Sequence, residues 1–228
     1  MGQSFYSSAN DKPHQVNRQQ NKQGIMVRMV SDPNSAHFWQ ESYRNGRTAW
    51  DLGYPTPVFA RLAQSGSYLP GKMIVLGAGR GYDARLFAQH GFEVLAVDFA
   101  SDAVVAMHMH NDPQHPVQVL QADMFKLPET MNGRFDYVLE YVCFCAIDPS
   151  RRDEFAALTA RLLKPGGLYI TLAFPIGRRA GGPPFVIQPD AIIEQFSAHG
   201  FSLHHREFPP DSILSRQKIE ELLILKRD

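Results

Sequence analysis

The sequence predicts an α/β protein built on a doubly wound, mostly parallel sheet with helices on both faces. From Lys72 onward, short runs of β-branched and other apolar residues alternate with segments of helical length, which is the pattern of strand–helix–strand units. Near the carboxyl terminus, only residues 209–218 separate two apolar runs, so we expect an antiparallel hairpin because no crossover helix fits between them. A glycine-rich stretch directly after the first strand is the third indication, since proteins of this class bind ligands at such loops.

The elements follow one another in a regular order. The first five strands are expected at KMIVL, FEVLAV (followed at once by Asp98), PVQVL, FDYVLE and GLYITLAF. Helices are expected at about 83–90, 101–110 and 149–163, and the last is closed by KPGG, in which a glycine suits a left-handed C-cap. After the Gly/Pro-rich loop GRRAGGPP come a helix near 189–199 and the closing strands FSLHHREF and IEELLILKR.

The domain organisation is predicted from composition. Residues 1–24 consist largely of Ser, Asn, Gln and Lys and offer too little apolar surface to offset the entropy of ordering, so we expect a disordered polar leader. Segment 25–66 contains aromatic residues and prolines but no clear strand, and it is expected to form a helical cap before the core at 67–228. Residues 25–228 are therefore predicted to be a single domain, with a monomer as the default expectation.

Charge and hydropathy restrict the partners. The 23 Lys and Arg residues balance the 23 Asp and Glu residues, so no overall field attracts nucleic acid or an anionic membrane. No apolar stretch approaches the roughly 18 residues that span a bilayer, and the amino terminus does not resemble a signal peptide. Cys143 and Cys145 lie two apart in an apolar run, where a strand would point them to opposite faces and prevent a disulfide. These observations predict a cytoplasmic protein that acts on a small molecule.

A glycine loop is the first candidate binding feature. The stretch VLGAGRGYDARLF places Gly77, Gly79 and Gly81 between a strand and a helix, where glycines permit positive φ and close backbone approach to a ligand. A dinucleotide loop requires G-x-G-x-x-G/A, but the last position is Tyr82. The observed G-x-G-x-G spacing is that of doubly wound methyltransferases, which bind S-adenosylmethionine, although a tight turn without a ligand has the same composition.

Two carboxylates follow the next two strands. Asp98, with Phe99 after it, ends the second strand and is expected to accept both ribose hydroxyls of the cofactor, a position that would also suit NAD. Asp123 follows the third strand beside Met124 and Phe125. At this edge of a doubly wound sheet, its carboxylate is expected to accept from the adenine amine while its neighbours cover the ring. The alternative for Asp123 is a turn cap.

Several blocks of the chain, in this order, resemble one protein family. They are FWQESYRNGRTAWDLGYPTPVFARL, LGAGRGYDARLFAQHGFEVLAVDFASDAV, FDYVLEYVCFCAIDPSRRDEF, LLKPGGLYITLAFPI with GGPPF, and SRQKIEELLILKR. Together they are similar to the thiopurine methyltransferase-like family of class I methyltransferases, and within it to the halide and thiol methyltransferases. The resemblance covers about residues 36–228 and implies a Rossmann-like, seven-stranded sheet with an antiparallel last strand. It also implies S-adenosylmethionine as cofactor and S-adenosylhomocysteine as product.

The resemblance also implies roles for aromatic residues. Trp39 and Trp50 would close over the methionine end of the cofactor, where an aromatic face suits a sulfonium cation, and Trp39 would also border the substrate. Tyr141 resembles the family's active-site tyrosine and could donate its hydroxyl to a nucleophile. Packing inside or beneath the cap is the alternative for all three. Phe174 and Phe185 stand where relatives often have Tyr, which would leave a more apolar substrate pocket that favours a thiol over chloride.

The predicted function is methyl transfer to a small, soft nucleophile, a thiol or sulfide first. Halide, thiopurine, selenium and tellurium acceptors remain open. Such an in-line displacement needs alignment and exclusion of water rather than a catalytic triad, and no metal is expected, because His108 and His110 lie two apart on a predicted helix and diverge around it. A nicotinamide-dependent oxidoreductase and a non-catalytic cofactor-binding module are the alternatives.

Overall fold

The computed structural model describes residues 32–228. The predicted leader at 1–24 and the start of the predicted cap at 25–31 lie outside these residues, so both expectations stay predictions. Within the described part, the helices are α1 (Ala36–Arg44), α2 (Pro57–Gln64), α3 (Tyr82–Gln89), α4 (Ser101–Met109), α5 (Arg152–Leu162) and α6 (Pro189–Ser197). The strands are β1 (Lys72–Leu76), β2 (Glu93–Asp98), β3 (Gln118–Gln121), β4 (Phe135–Tyr141), β5 (Leu163–Ala173), β6 (Phe201–Glu207) and β7 (Glu221–Arg227).

The seven strands form one sheet in the order β3-β2-β1-β4-β5-β7-β6. Strands β1 to β5 pair in parallel, for example Ile74 with Leu95 and with Val138. Strand β7 is antiparallel to both β5 and β6, which confirms the predicted closing hairpin. The strand order reverses at β1, so the carboxyl ends of β1 and β4 border the crevice at which doubly wound proteins bind ligands.

The predicted glycine C-cap in KPGG is wrong. Helix α5 ends at Leu162, and Leu163 is already extended, with φ −75° and ψ 146°. Because Lys164 precedes Pro165, the helical conformation is disfavoured there, and proline itself removes a helix donor. Gly166, with φ +80°, therefore lies within β5, where the register shifts against β4. The glycine permits a β-bulge rather than a helix end.

An apolar core covers each face of the sheet. On one face, α5 and α6 pack their aromatic rings on β5, and the Tyr169 and Phe196 rings stack with centroids 4.6 Å apart. On the other face, α2 and α3 pack on β1, β2 and β7, with Phe59 and Phe87 in contact. None of the described helices is long and apolar enough to cross a membrane.

Two polar contacts attach the cap, described here from residue 32, to the core. Asp83 at the start of α3 accepts both the backbone N–H and the hydroxyl of Thr56, at 2.7 and 2.9 Å. Gln40 of α1 accepts the hydroxyl of Ser101 at 2.9 Å. Because both anchors lie after the carboxyl ends of β1 and β2, the cap is held over the edge at which the crevice opens.

Candidate functional site

A cavity lies between the cap and the carboxyl ends of β1, β2, β3 and β4. Its walls include ten of the residues that the sequence placed in the site: Trp39, Trp50, Gly77, Gly79, Asp98, Phe99, Asp123, Met124, Phe125 and Tyr141. Gly81, Phe174 and Phe185 do not line it. The strand-end positions of most of these residues explain why they meet, since parallel strands end at one common edge.

The glycine loop approaches the cavity at Gly77 and Gly79. Both residues have positive φ, 62° and 55°, and a side chain at Gly77 would collide with the Cys143 sulfur at 2.5 Å. Gly81 differs, because a side chain there would meet the Met107 side chain of α4 at 2.7 Å. The lack of a side chain at Gly81 permits α3 and α4 to pack closely, and its expected contact with the cofactor stays a prediction.

Asp98 is buried at the tip of β2 and shapes the glycine loop. Its Oδ2 accepts the backbone N–H of Gly79 and its Oδ1 that of Ala100, both at 2.9 Å. Burial raises the pKa of Asp98 to about 6, and these backbone hydrogen bonds oppose the rise. One bond to each oxygen leaves acceptor capacity for two further donors, as a ribose diol requires.

Asp123 is a turn cap that also lines the cavity. Its Oδ1 accepts the backbone N–H of Phe125 at 3.0 Å, which confirms that it caps the short 3₁₀ helix Met124–Lys126. It also lines the cavity, with Lys126 as an ion-pair partner at 3.4 Å. The guanidinium of Arg151 stacks 3.8 Å from the centre of the Phe125 ring, so this wall presents a flat, partly aromatic surface.

Three aromatic residues of the cap form a cluster over the cavity. The Trp39 and Trp50 rings meet edge to face at 5.2 Å, and Trp50 meets Tyr43 in the same way at 5.7 Å. The indole N–H of Trp39 donates to the carbonyl of Pro33 at 2.7 Å. Sequence reasoning missed Tyr43, although its spacing of four residues after Trp39 on one helix was a usable signal.

Two acidic residues of the cavity were also missed. Asp83 is buried against Thr56, and burial raises its pKa to about 6. Asp51, directly after Trp50, has one oxygen that accepts the Gly53 N–H at 2.8 Å. Its other oxygen, Oδ2, is buried without a well-formed hydrogen bond, although Arg80 Nη1 lies 3.2 Å away as an ion-pair partner. The positions of both carboxylates depend on how the cap folds, and the sequence of the cap has no periodic pattern from which that fold could be predicted.

Tyr141 is held from behind by two charged side chains of the segment before β7. Its hydroxyl donates to Glu220 Oε2 at 2.6 Å and accepts from the guanidinium of Arg216. The same guanidinium donates to the backbone carbonyl of Trp50 at 3.3 Å and stacks 4.6 Å from the centre of the Phe174 ring. Arg216 and Glu220 are 6% and 1% exposed, so the network is shielded from water.

Phe174 and Phe185 lie behind this layer. The Phe174 ring contacts the guanidinium of Arg216 and packs against the core on one face of the sheet. The backbone N–H of Phe185 donates to the Cys145 carbonyl at 2.7 Å, and its ring faces Gly182. Neither residue lines the cavity, so the expectation that they form walls of the substrate pocket is corrected. The apolar character of the pocket has to come from other residues.

The turn after Tyr141 is strained and firmly held. Val142 has φ +55°, which is unusual for a β-branched residue. The buried carboxylate of Glu140 accepts the backbone N–H groups of Cys143 and Phe144 at 3.1 and 2.9 Å. Cys143 and Cys145 lie in this turn rather than on a strand, both free, and burial raises the pKa of both thiols. They pack as small apolar residues.

The fold can be compared with solved structures. The chain superimposes with a TM-score of 0.63 on the 1,6-didemethyltoxoflavin-N1-methyltransferase of Burkholderia thailandensis, over 97% of this chain and 93% of that one at 18% identity. For a TehB-like SAM-dependent methyltransferase from Corynebacterium glutamicum, the TM-score is 0.58, over 86% and 100% of the two chains at 17% identity. At these identities the likeness concerns the fold alone, and that fold is the class I methyltransferase fold.

Sequence similarity defines the family within this class. Residues 34–221 match the family described as Thiopurine S-methyltransferase (TPMT), and the chain belongs to that family. It is 36% identical to the "Probable thiol methyltransferase 2" of Arabidopsis thaliana over 74% of each chain. It is 32% identical to "Thiocyanate methyltransferase 1" of Brassica oleracea over 81% of this chain and 82% of that one. A thiopurine S-methyltransferase of Bordetella petrii is 26% identical over 72% and 82%.

The protein is therefore a methyltransferase, and its family membership implies the use of S-adenosylmethionine. The resemblance inferred from the sequence blocks, including the thiol-methyltransferase branch, is confirmed. The family assignment favours a methyltransferase over the two alternatives raised from the sequence, a nicotinamide-dependent oxidoreductase and a non-catalytic cofactor-binding module. The family also implies a small-molecule methyl acceptor.

Proposed function

We propose that the protein methylates a small sulfur nucleophile, a thiol, sulfide or thiocyanate, at one end of the cavity. The observation that carries this proposal is that polar strand-end groups, the aromatic cluster of the cap and the turn after β4 all line one cavity, which we divide into two ends. The cofactor end carries the polar groups and the aromatic cluster and comprises Trp39, Tyr43, Trp50, Asp51, Gly77, Gly79, Arg80, Asp98, Phe99, Asp123, Met124 and Phe125. We assign Tyr141, Val142, Cys143, Ala146 and Ile147, which also line the cavity, to an acceptor end, whose side chains are apolar apart from the Tyr141 phenol and the Cys143 thiol.

The cofactor end fits S-adenosylmethionine group by group. Asp98 has acceptor capacity for the ribose hydroxyls, and Asp123 with Met124 and Phe125 suits the adenine. The methionine part carries an ammonium and a carboxylate, and Asp51 and Arg80 offer the opposite charges. The buried Asp51 Oδ2 without a well-formed hydrogen bond is the kind of acceptor that an ammonium donor would satisfy. Trp39 and Trp50 supply aromatic faces to a positively charged sulfur.

When bound, the cofactor supplies a methyl group on a sulfonium centre. The residues of this chain have to align the incoming sulfur and exclude water. The cap performs the exclusion, because Thr56–Asp83 and Gln40–Ser101 hold it against the core. The strained turn at Val142 fixes the wall beside Tyr141, since Glu140 holds two of its backbone N–H groups. Tyr141 is the residue that we place next to the reacting sulfur.

The apolar acceptor end favours a soft sulfur nucleophile over chloride. A strongly hydrated ion loses its water shell there without compensation, whereas a thiol brings apolar surface that gains from burial. The relatives named for thiol and thiocyanate methylation support the same class of acceptor. Residues 25–228 as a single domain, a monomeric state and a cytoplasmic location stay part of this proposal.

The test is a screen of acceptors with purified protein and S-adenosylmethionine. Hydrosulfide, an alkyl thiol, an aromatic thiol, thiocyanate, iodide, chloride and a thiopurine would be compared by formation of S-adenosylhomocysteine and of the methylated product. We expect kcat/KM to be highest for a small sulfur acceptor. A higher kcat/KM for the thiopurine or for a halide than for every small sulfur acceptor would contradict the proposal, while leaving the family assignment intact.

A further inference from the structure

The Tyr141 hydroxyl has two partners that orient it fully. It donates its proton to Glu220 Oε2 at 2.6 Å and accepts from Arg216. A phenolic oxygen has one proton to donate, so Tyr141 cannot donate to a methyl acceptor while it donates to Glu220. It can still accept. The expected role of Tyr141 as a donor to the nucleophile therefore conflicts with its observed hydrogen bonds.

A neutral thiol requires a proton acceptor, which the Tyr141 oxygen can provide. Its S–H proton has to leave when the sulfur is methylated, because the sulfur forms a bond to the methyl carbon as the carbon–sulfonium bond breaks. Thiocyanate and halide ions carry no such proton. The sequence suggested no general base for this step, yet the carboxylate of Glu220 lies one hydrogen bond behind a residue of the acceptor end.

We propose that Tyr141 and Glu220 form a proton relay for neutral thiol acceptors, a role that rests on the proposed function above. The S–H proton passes to the Tyr141 oxygen while the phenolic proton passes to the Glu220 carboxylate. The products are the methylated sulfide, S-adenosylhomocysteine and a protonated Glu220, so atoms and charge balance. After product release, Glu220 returns the proton to the Tyr141 oxygen while the phenolic proton passes to water that enters the cavity, and the relay is reset.

The surroundings suit a relay rather than an ionised tyrosine. Burial raises the pKa of Tyr141, and the negative charge of Glu220 raises it further, whereas the charge of Arg216 lowers it. The phenol is thus protonated between turnovers. In the neighbouring turn, the charge of Arg216 also lowers the pKa of the Cys145 thiol, although burial raises that pKa more strongly. Glu140, one residue before Tyr141, is engaged by Thr171, Tyr169 and the turn instead.

Arg216 has a positioning role in this network. Its guanidinium bonds Tyr141 and the Trp50 carbonyl and lies on the Phe174 ring. It therefore sets the direction of the phenolic oxygen relative to the cap that covers the cavity.

The experiment compares Glu220→Gln with the wild type on two kinds of acceptor over a range of pH. Glutamine keeps an oxygen that accepts the Tyr141 hydroxyl but cannot take up its proton. At about pH 6.5, only about 1% of an alkyl thiol with a pKa near 8.5 is thiolate. We expect kcat/KM for this thiol to fall by up to about 100-fold, and the loss to disappear as the pH passes the thiol pKa. For thiocyanate, the loss should be less than about threefold at every pH.

Glu221→Gln is the matched control. Glu221 is also buried, at 3% exposure, and lies next in sequence, but it pairs with Arg206 at 2.7 Å on β6. Its replacement should produce no selective loss with the thiol. A second variant, Tyr141→Phe, removes the relay oxygen and should reproduce the thiol-selective loss. Melting temperatures and S-adenosylhomocysteine affinity identify any variant that is merely unfolded.

Binding provides a readout that is independent of turnover. Calorimetric titration of the alkyl thiol into the S-adenosylhomocysteine complex at about pH 6.5 should give nearly unchanged affinity in Glu220→Gln but weaker affinity in Tyr141→Phe. Equal losses with thiol and thiocyanate, or a loss that persists above the thiol pKa, would overturn the relay while leaving thiol methylation in place. A wild type that methylates neither acceptor would overturn the proposed function, and the relay with it.

Discussion

The two ends of the cavity are held together in different ways. At the cofactor end, Asp98 and Asp123 accept N–H groups from the backbone two residues further along the chain. At the acceptor end, Tyr141 bonds to Arg216 and Glu220, which lie 75 and 79 positions away. The carboxylates of the first end are therefore placed by short strand–turn units, although cap residues complete that end, whereas the second end exists only when β4, the segment before β7 and the cap pack together.

This difference predicts different consequences of mutation. A backbone N–H that loses its acceptor at the cofactor end lies near a ligand or solvent. Mutations there should therefore weaken cofactor binding more than they weaken the fold. At the acceptor end, removal of Arg216 or Glu220 leaves the buried Tyr141 hydroxyl without a partner, which costs stability as well. The following changes test that division, from the largest expected effect to the smallest.

Arg216→Leu should have the largest effect on stability. It removes the donors to the Tyr141 hydroxyl and the Trp50 carbonyl and leaves both buried acceptors short of a partner, so we expect a loss of about 2–4 kcal/mol in the free energy of unfolding. Urea denaturation measures it. Arg44→Leu is the control, because this exposed arginine pairs with Glu41 on the surface of α1 and should cost no more than about 1 kcal/mol. Equal costs would remove the distinction between the two ends.

Asp98→Asn should weaken S-adenosylhomocysteine binding with little loss of stability. A hydrogen bond between a ribose hydroxyl and a charged carboxylate contributes about 1.5–3 kcal/mol, which corresponds to a roughly 10- to 100-fold rise in Kd. The fold should persist, because the amide oxygen still accepts one of the two backbone N–H groups and only the other loses its acceptor. Asp102→Asn, on the neighbouring helix α4 and outside the cavity, is the control. Unchanged affinity in Asp98→Asn would contradict the assignment of the ribose to this residue.

The pH dependence of binding should follow Asp98. Its pKa in the folded, ligand-free protein is about 6, and ribose hydroxyls prefer the ionised form, so affinity should be full above pH 6. By about pH 5 the affinity should fall by about tenfold, since the cofactor then has to displace a proton. Isothermal titration at several pH values measures this, and the dependence should flatten in Asp98→Asn. A cofactor affinity that rises as the pH falls would contradict this assignment of Asp98.

The stability of the ligand-free protein should move in the opposite direction. Asp98 and Asp83 have an ordinary pKa of 3.8 and a folded pKa of about 6. The folded state therefore binds more protons than the unfolded state between these values, and the free energy of unfolding falls as the pH rises from about 4 to about 6. Comparison of urea denaturation at both pH values with the binding data separates the two effects.

Phe174→Tyr and Phe185→Tyr should have the smallest effect on acceptor choice. Because neither ring lines the cavity, an added hydroxyl does not reach the acceptor. The ratio of kcat/KM for iodide to that for a small thiol should change by less than about twofold. A tenfold increase, the effect of one new hydrogen bond to the anion, would place these residues in the pocket after all.

The sequence predicted the cofactor end well because its signals are local. A glycine loop after a strand and a carboxylate at the next strand end are read from short stretches, and Gly77, Gly79 and Asp98 all line the cavity. At Gly81 the spacing alone does not distinguish a ligand contact from close packing against Met107. The prediction of a helix C-cap at the KPGG glycine was wrong for a similar reason, since both a helix end and a β-bulge can require a residue with positive φ.

The acceptor end was predicted only through the family resemblance, and only in part. Tyr141 lines the cavity as expected, but Arg216 and Glu220 stand in a segment whose sequence pattern gives no sign of a site. Their role depends on the packing of β7 between β5 and β6, which brings residues 216 and 220 beneath β4 and the cap. Phe174 and Phe185 were placed in the pocket through the family resemblance, but neither of them lines the cavity.

A crystal structure of the complex with S-adenosylhomocysteine and an alkyl thiol tests the central claim most directly. The account predicts both ribose hydroxyls within about 2.7–3.2 Å of the Asp98 carboxylate, the adenine against Met124 and Phe125, and the thiol sulfur beside the Tyr141 oxygen. Glu220 should still accept from Tyr141. A ribose bound away from Asp98, or a thiol bound away from Tyr141, would contradict the division of the cavity into a cofactor end and an acceptor end.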